Sequence, residues 1–177
     1  SDVGADAKTI KRWLSILEAS FVVFKLAPYF ENFGKRVIKS PKYYFTDTGL
    51  LSYLIGIEKP AQIARDPLVG NLFENLVILE ALKARYNRGL TPNLYFFRDS
   101  HGNEIDLIWQ SGRELVGFEI KSGSTYHTSF RKGLDRFNGN VAPLARRYVV
   151  YNGERHQFSD GSEAIRFSDI STLLRRR

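Results

Sequence analysis

The order of apolar and polar positions divides the first third of the chain into short helical and extended segments. Four apolar residues recur at the spacing of an amphipathic helix: Ile10, Trp13, Leu14 and Leu17. Asp6 precedes them and is expected to cap the N-terminus of this helix. Segments 21–26 and 42–46 are rich in β-branched and aromatic residues, which predicts two strands. Asp47 then predicts the start of a short helix that continues over 50–55.

The remaining two thirds of the chain predict a helix followed by three strands, a second helix and a further strand. A wide apolar stripe begins near Gly70 and ends at 87–89, where Gly89 suits the residue after a helix. The predicted elements that follow are strands at 94–98, 103–109 and 115–122, a helix at 130–137 and a strand at 147–151. After residue 152 the pattern indicates one more strand and a short final helix. The expected fold class is therefore α/β with a mixed central sheet.

The first part has the element order of a winged helix-turn-helix from its recognition helix onward: helix, strand, basic loop, strand. The helices that would come before it are missing from this sequence. Pro60 and Pro67 bound a stretch with little periodicity. We therefore expect a winged-helix-like segment at 1–59, a linker at 60–67 and a second domain at 68–177.

Charge favours an anionic partner, and DNA is the expected one. The chain has 177 residues and a net charge of +7, and residues 8–42 hold eight Lys or Arg against two Glu, a local net of 8 − 2 = +6. The expected DNA-binding residues are Lys8, Lys11, Arg12, Lys35, Arg36, Lys39 and Lys42. An ordinary basic protein with a solvated helix face remains the alternative.

Several classes of protein are disfavoured by what the sequence lacks. It has no cysteine, no apolar run of 18 residues and no G-x-x-x-x-G-K-[ST] motif, so we expect no disulfide, no membrane span and no ATP binding by this chain. A cytoplasmic location is expected. The absence of methionine, even at position 1, suggests a piece of a longer protein. Whether the chain forms a homo-oligomer is left open.

Carboxylates on otherwise apolar strands form the candidate active site. Side chains two apart on a strand share a face, so Glu119 and Lys121 should point the same way. If their strand pairs with the preceding one, Asp106 can lie beside Glu119. Glu74 in the preceding helix is the expected third acidic member. Solvated strand positions with Lys121 as an ion-pair partner are the alternative interpretation.

These residue types suit metal-dependent cleavage of a phosphodiester. Mg²⁺ or Mn²⁺ prefers oxygen ligands, which Asp106, Glu119 and Glu74 would supply, and such an ion activates bound water. Lys121 could orient that water and steady the phosphate. The expected catalytic residues are Glu74, Asp106, Glu119 and Lys121. This order, αβββαβ with a helix Glu, then Asp, then Glu-x-Lys, resembles the PD-(D/E)XK nuclease-like superfamily and implies a restriction-endonuclease-like core.

A more specific resemblance covers nearly the whole chain. The segments that carry it are Ile10–Leu14, Lys35–Lys42, Phe45–Leu50, Gly70–Asn75, Glu104–Leu107 and Glu119–Lys121. They resemble the prokaryotic domain of unknown function 4143, the C-terminal half of AAA+ ATPase-type proteins. This resemblance implies an N-terminal AAA+ domain in the same polypeptide. Two alternatives to a nuclease stay open: a non-catalytic platform that docks DNA or protein for the ATPase, and a purely protein–protein adaptor.

Overall fold

A computed structural model describes residues 4–30 and 39–175. Six α-helices are present in these ranges: α1 (Ala7–Ala19), α2 (Thr48–Leu54), α3 (Pro60–Ile63), α4 (Val69–Tyr86), α5 (Lys132–Asn140) and α6 (Ile170–Leu173). The same ranges contain eight strands: β1 (Val23–Pro28), β2 (Lys42–Phe45), β3 (Leu94–Arg98), β4 (Glu104–Ser111), β5 (Glu114–Lys121), β6 (Arg146–Tyr151), β7 (His156–Gln157) and β8 (Glu163–Arg166).

All eight strands belong to one mixed sheet in the order β2-β1-β3-β4-β5-β6-β8-β7. β3, β4 and β5 form an antiparallel meander, whereas β6 lies parallel to β5 and β8 lies parallel to β6. A parallel neighbour requires a crossover connection, and α5 supplies it between β5 and β6. The α/β class and the mixed sheet predicted from the sequence are confirmed.

Helices cover both faces of the sheet and create two apolar layers. On one face, α4 and α6 bury residues such as Val77, Ile78 and Ile170 against Phe118. On the other face, α5 buries Leu134 and its neighbours. The central strands therefore lie between helices on both sides, which explains their nearly continuous apolar sequence.

Local signals at the ends of the helices were predicted correctly. Asp6 caps α1, because its carboxylate accepts hydrogen bonds from the backbone N–H groups of Lys8 and Thr9 at 2.8 and 2.9 Å. Asp47 caps α2 through the N–H of Leu50 at 2.6 Å. Gly89 has φ +65° beyond the end of α4, a conformation that glycine adopts without strain.

The sheet continues across the predicted domain boundary. β1 pairs in parallel with β3, and β2 pairs with β1, so strands from before and after residues 60–67 share one sheet. Part of the predicted linker is helical, since α3 covers Pro60–Ile63. The short strand β7 was also missing from the sequence interpretation, because two exposed residues leave no periodic pattern. The division into two domains remains a prediction.

Candidate functional site

The β4–β5 hairpin brings together three of the four predicted catalytic residues. Glu119 and Lys121 share one face of β5, and the Lys121 Nζ lies 2.8 Å from Glu119 Oε2. Phe118 and Ile120 point to the opposite face, where they join the core beneath α4. The same Nζ lies 3.3 Å from Oδ2 of Asp106. Lys121 therefore links the two carboxylates, as the predicted hairpin requires.

A bulge in β4 directs Asp106 into this site. In the pairing of β3 with β4, Tyr95 lies opposite Ile108 and Phe97 lies opposite Ile105. The single residue Phe96 therefore faces two residues of β4 instead of one. The Asp106 Oδ2 also accepts a hydrogen bond from the backbone N–H of Ile120 at 2.8 Å. This side-chain bond satisfies a buried strand amide and fixes the position of the carboxylate.

The carboxylates of Asp106 and Glu119 are largely buried from solvent. Asp106 and Glu119 are only 8% and 6% exposed. Burial, followed by the negative charge of Asp106, raises the pKa of Glu119 to about 8 despite the opposing effect of Lys121. Burial lowers the pKa of Lys121, but the charges of Asp106 and Glu119 outweigh this effect and raise it overall. Two acids thus share one ammonium group.

Glu74 is not part of this ion pair. Its Oε1 accepts hydrogen bonds from Lys42 Nζ at 2.9 Å and from Tyr44 Oη at 2.6 Å. Burial, followed by the charge of Glu74, raises the pKa of Tyr44, so this hydroxyl remains a donor. The structure therefore joins Glu74 to β2 rather than directly to the pair formed by Asp106 and Glu119.

Glu104 is a further acid of the site, held by two cations. The Lys42 Nζ lies 2.6 Å from Oε1 of Glu104, and Arg98 donates two hydrogen bonds to Oε2, at 2.8 and 2.6 Å. Burial raises the pKa of Glu104, but its bonds to Lys42 and Arg98 outweigh this and hold it below the ordinary value. Burial likewise opposes the charged form of Lys42, yet Glu74 and Glu104 raise its pKa.

These groups border a common cavity of about 450 Å³ on the α4 side of the sheet. Glu74, Glu104 and Asp106 line it together with Lys42 and Tyr44. The cavity shows that Glu74 and Asp106 face the same space, although no hydrogen bond joins them directly. Asp106 lines this cavity and also binds Lys121, whereas Glu119 and Lys121 are not among the residues that line it.

Two structural contacts of the site were missed by sequence reasoning. Buried Asn75 closes the α4 side: its amide accepts from the N–H of Phe45 at 2.8 Å and donates to the same residue's carbonyl at 2.9 Å. Gly133 of α5 lies against the other side, where an added Cβ would be 2.1 Å from Glu119 Oε1. A glycine in the first turn of a predicted helix was the one available signal of close approach.

The predicted DNA-binding residues fall into three groups. Lys8, Lys11 and Arg12 are exposed on α1, and Lys39 is exposed before β2. Lys42 is instead held by the carboxylates of the site, a position that basic composition alone does not indicate. The remaining two predictions lie outside the described residues: Lys35 and Arg36.

The fit of a divalent ion can be judged from the acidic side chains. Among residues 4–30 and 39–175, no group of three or more His, Cys, Asp or Glu side chains is arranged to hold a metal. Asp106 and Glu119 nevertheless provide two buried carboxylates against one shared lysine. Mg²⁺ in phosphate-processing sites commonly takes one or two carboxylates, with water and substrate phosphate as its other ligands. Asp106 and Glu119 together supply the two carboxylates that such a Mg²⁺ site needs.

Fold and site together define a mixed α/β domain with a carboxylate–lysine centre. The model of the family described as Domain of unknown function (DUF4143) matches residues 69–170, and this chain belongs to that family. The family is known as a C-terminal domain of AAA-type ATPases. A second model, Domain of unknown function (DUF8612), matches residues 1–61. The two models meet at the stretch predicted as the linker.

Curated relatives are similar to this chain over only part of their own length. Uncharacterized proteins of Mycobacterium bovis and Mycobacterium tuberculosis are each 39% identical over 168 residues, which is 93% of this chain and 36% of each relative. An uncharacterized protein of Haemophilus influenzae is 33% identical over 117 residues, 63% of this chain and 26% of the relative. No solved structure matches the chain. None of the helices in the described part of the chain is long and apolar enough to span a membrane.

Proposed function

We propose that this chain is a nuclease-like module that binds DNA and cleaves phosphodiester bonds with Mg²⁺ or Mn²⁺. The single observation that carries the proposal is the pair of buried carboxylates, Asp106 and Glu119, linked by the ammonium of Lys121. The element order of α4, three antiparallel strands, α5 and the parallel strand β6 supports a restriction-endonuclease-like core. The module would serve an AAA-type ATPase in the same polypeptide.

Asp106 and Glu119 would hold the metal ion, which when bound supplies a polarised water and positive charge at the phosphate. Lys121 lies within hydrogen-bonding distance of both carboxylates, and its ammonium would orient the water and stabilise negative charge that develops on the phosphate. Glu74 faces the neighbouring cavity and would act through Lys42 and Tyr44. Burial of the acids favours a bound cation, because Lys121 alone supplies one positive charge against two carboxylates.

Binding of DNA would use the exposed basic residues near the N-terminus. Lys8, Lys11 and Arg12 lie on one helix, where their charges can contact phosphates without selecting a sequence. Binding should therefore weaken as salt rises, since phosphate contacts release counterions.

The test is cleavage of plasmid, linear and branched DNA by the 177-residue chain and by the full-length protein, with Mg²⁺ or Mn²⁺. Asp106→Asn and Lys121→Met should each reduce cleavage at least a hundredfold. Lys83→Met is the matched control, because Lys83 is an exposed lysine paired with Glu80 away from the site. Absence of cleavage by both wild-type proteins on every substrate would refute the enzymatic proposal.

A non-catalytic platform is the second candidate, and one observation favours it. The described residues contain no three-member acidic group for a metal, so the fold could serve only to dock DNA or protein for the ATPase. In that case DNA binding would be salt-sensitive, independent of divalent ions, and unchanged or improved by Asp106→Ala. The same binding assay with and without Mg²⁺ distinguishes the two candidates.

A further inference from the structure

The ammonium group of Lys42 is surrounded by two carboxylates and an aromatic ring. Its Nζ lies 2.9 Å from Glu74 Oε1 and 2.6 Å from Glu104 Oε1. The aromatic face of Phe96 lies on another side, with its centroid 5.4 Å from the same nitrogen. The Lys42 side chain is 22% exposed. Its ammonium is therefore engaged within the protein and is poorly placed to act as a free phosphate contact.

The two acids that hold Lys42 line a cavity that is also lined by one of the two proposed metal ligands. Glu74 and Glu104 line the same cavity as Asp106. They come from different elements, α4 and the first residue of β4, so the fold itself brings them together. Many phosphate-cleaving proteins use a second metal ion beside the first, and hard divalent ions take carboxylate ligands.

We infer that Lys42 is a built-in cation that replaces a second divalent ion, so that the chain binds a single metal at Asp106 and Glu119. This inference rests on the proposed function for the identity of the first metal site. The physical reason is charge: the ammonium already compensates Glu74 and Glu104, and a divalent ion would have to displace it from both. Removing the ammonium leaves the partly buried carboxylate of Glu74 without its cation, beside a Glu104 that keeps only its bonds to Arg98 among the described residues, and these oxygens would attract a hard cation.

The test is the number of Mn²⁺ ions bound per chain, measured by isothermal titration calorimetry and by electron paramagnetic resonance. Wild type should bind one ion, and Lys42→Met should bind two. Lys25→Met is the matched control, because Lys25 also pairs with one glutamate and lies over a tyrosine ring, yet lies outside the cavity. It should bind as many ions as wild type. The double variant Lys42→Met/Glu74→Gln should return to one ion.

The Lys42 inference and the proposed function fail in different ways. If Lys42→Met binds no more Mn²⁺ than wild type, or if wild type itself binds two ions, the inference about Lys42 is overturned. If wild type binds none and Lys42→Met binds one, Lys42 does occupy the place of a divalent ion, while the metal site at Asp106 and Glu119, which comes from the proposed function, is refuted. Should Lys42→Met unfold without metal, Mn²⁺ should restore its folded state and raise its Tm more than that of wild type. Failure to do so would also overturn the inference.

Discussion

Replacing Gly133 by alanine should disrupt the site from the side of α5. An added Cβ would lie 2.1 Å from Glu119 Oε1 and 2.4 Å from the backbone carbonyl oxygen of Glu104. The glutamate side chain can rotate only by leaving Lys121, and the strand carbonyl cannot move without shifting β4. Overpacking typically costs about 1–3 kcal/mol, and a clash with a strand carbonyl that cannot move belongs to the upper part of this range, above the gain of at most about 1 kcal/mol that alanine brings to a helix.

Gly139 in the same helix provides the control. Apart from its chain neighbours and the backbone of its own helix, no atom of the described residues lies within 4 Å of a Cβ added there, so Gly139→Ala should leave stability unchanged or raise it by up to about 1 kcal/mol. Urea unfolding followed by circular dichroism should place the Gly133→Ala midpoint below wild type and that of Gly139→Ala at or above it. If Gly133→Ala were as stable as Gly139→Ala, the close contact between α5 and Glu119 would be refuted.

Three further predictions concern the pH dependence of stability, the hydrogen bonds between Asn75 and β2, and the strained backbone at Phe21. Because the folded-state pKa of Glu119 is about 8 and its ordinary value is 4.5, the folded state keeps a proton that the unfolded state releases between these values. In urea unfolding, the free energy of unfolding of wild type should fall by on the order of a few kcal/mol as pH rises from 5 to 9, and that of Glu119→Gln should fall much less. Equal falls in the two proteins would contradict this prediction. Asn75→Ala removes both hydrogen bonds to Phe45 and should lower the free energy of unfolding by about 2–3 kcal/mol in the same assay. The control Asn71→Ala, on the exposed side of α4, should change it by less than about 0.5 kcal/mol. Phe21 is 82% exposed at φ +57°, so Phe21→Gly should raise the Tm by a few degrees, and Phe21→Ala, which keeps the Cβ, should not.

Much of the fold follows from local patterns, because each pattern reflects the environment that its own segment will occupy. The cap at Asp6 and the glycine after α4 depend on a few adjacent residues, and both were predicted. The side-chain direction along β5 follows from the period of two in a strand. Glu119 and Lys121 could therefore be placed on one face before any pairing was known.

Contacts between distant segments could not be obtained in this way. Lys42 appeared as one more basic residue of an N-terminal stretch, yet its partners lie 32 and 62 positions further along the chain. Its contacts with both acids require that β2 lies beside α4. Asn75 of α4 holds β2 there through two hydrogen bonds to the backbone of Phe45. Periodicity carries no information about which strand occupies the next place in a sheet.

The sequence by itself determined the α/β class, the order of the central elements and the face shared by Glu119 and Lys121. Only the tertiary structure decided that β1 and β2 extend the same sheet and that Glu74 binds Lys42 and Tyr44. The tertiary structure also placed Gly133 against Glu119. The physical reason is that caps and strand faces are set by neighbours within a few residues, whereas ion pairs and close packing are set by which surfaces the folded chain brings together.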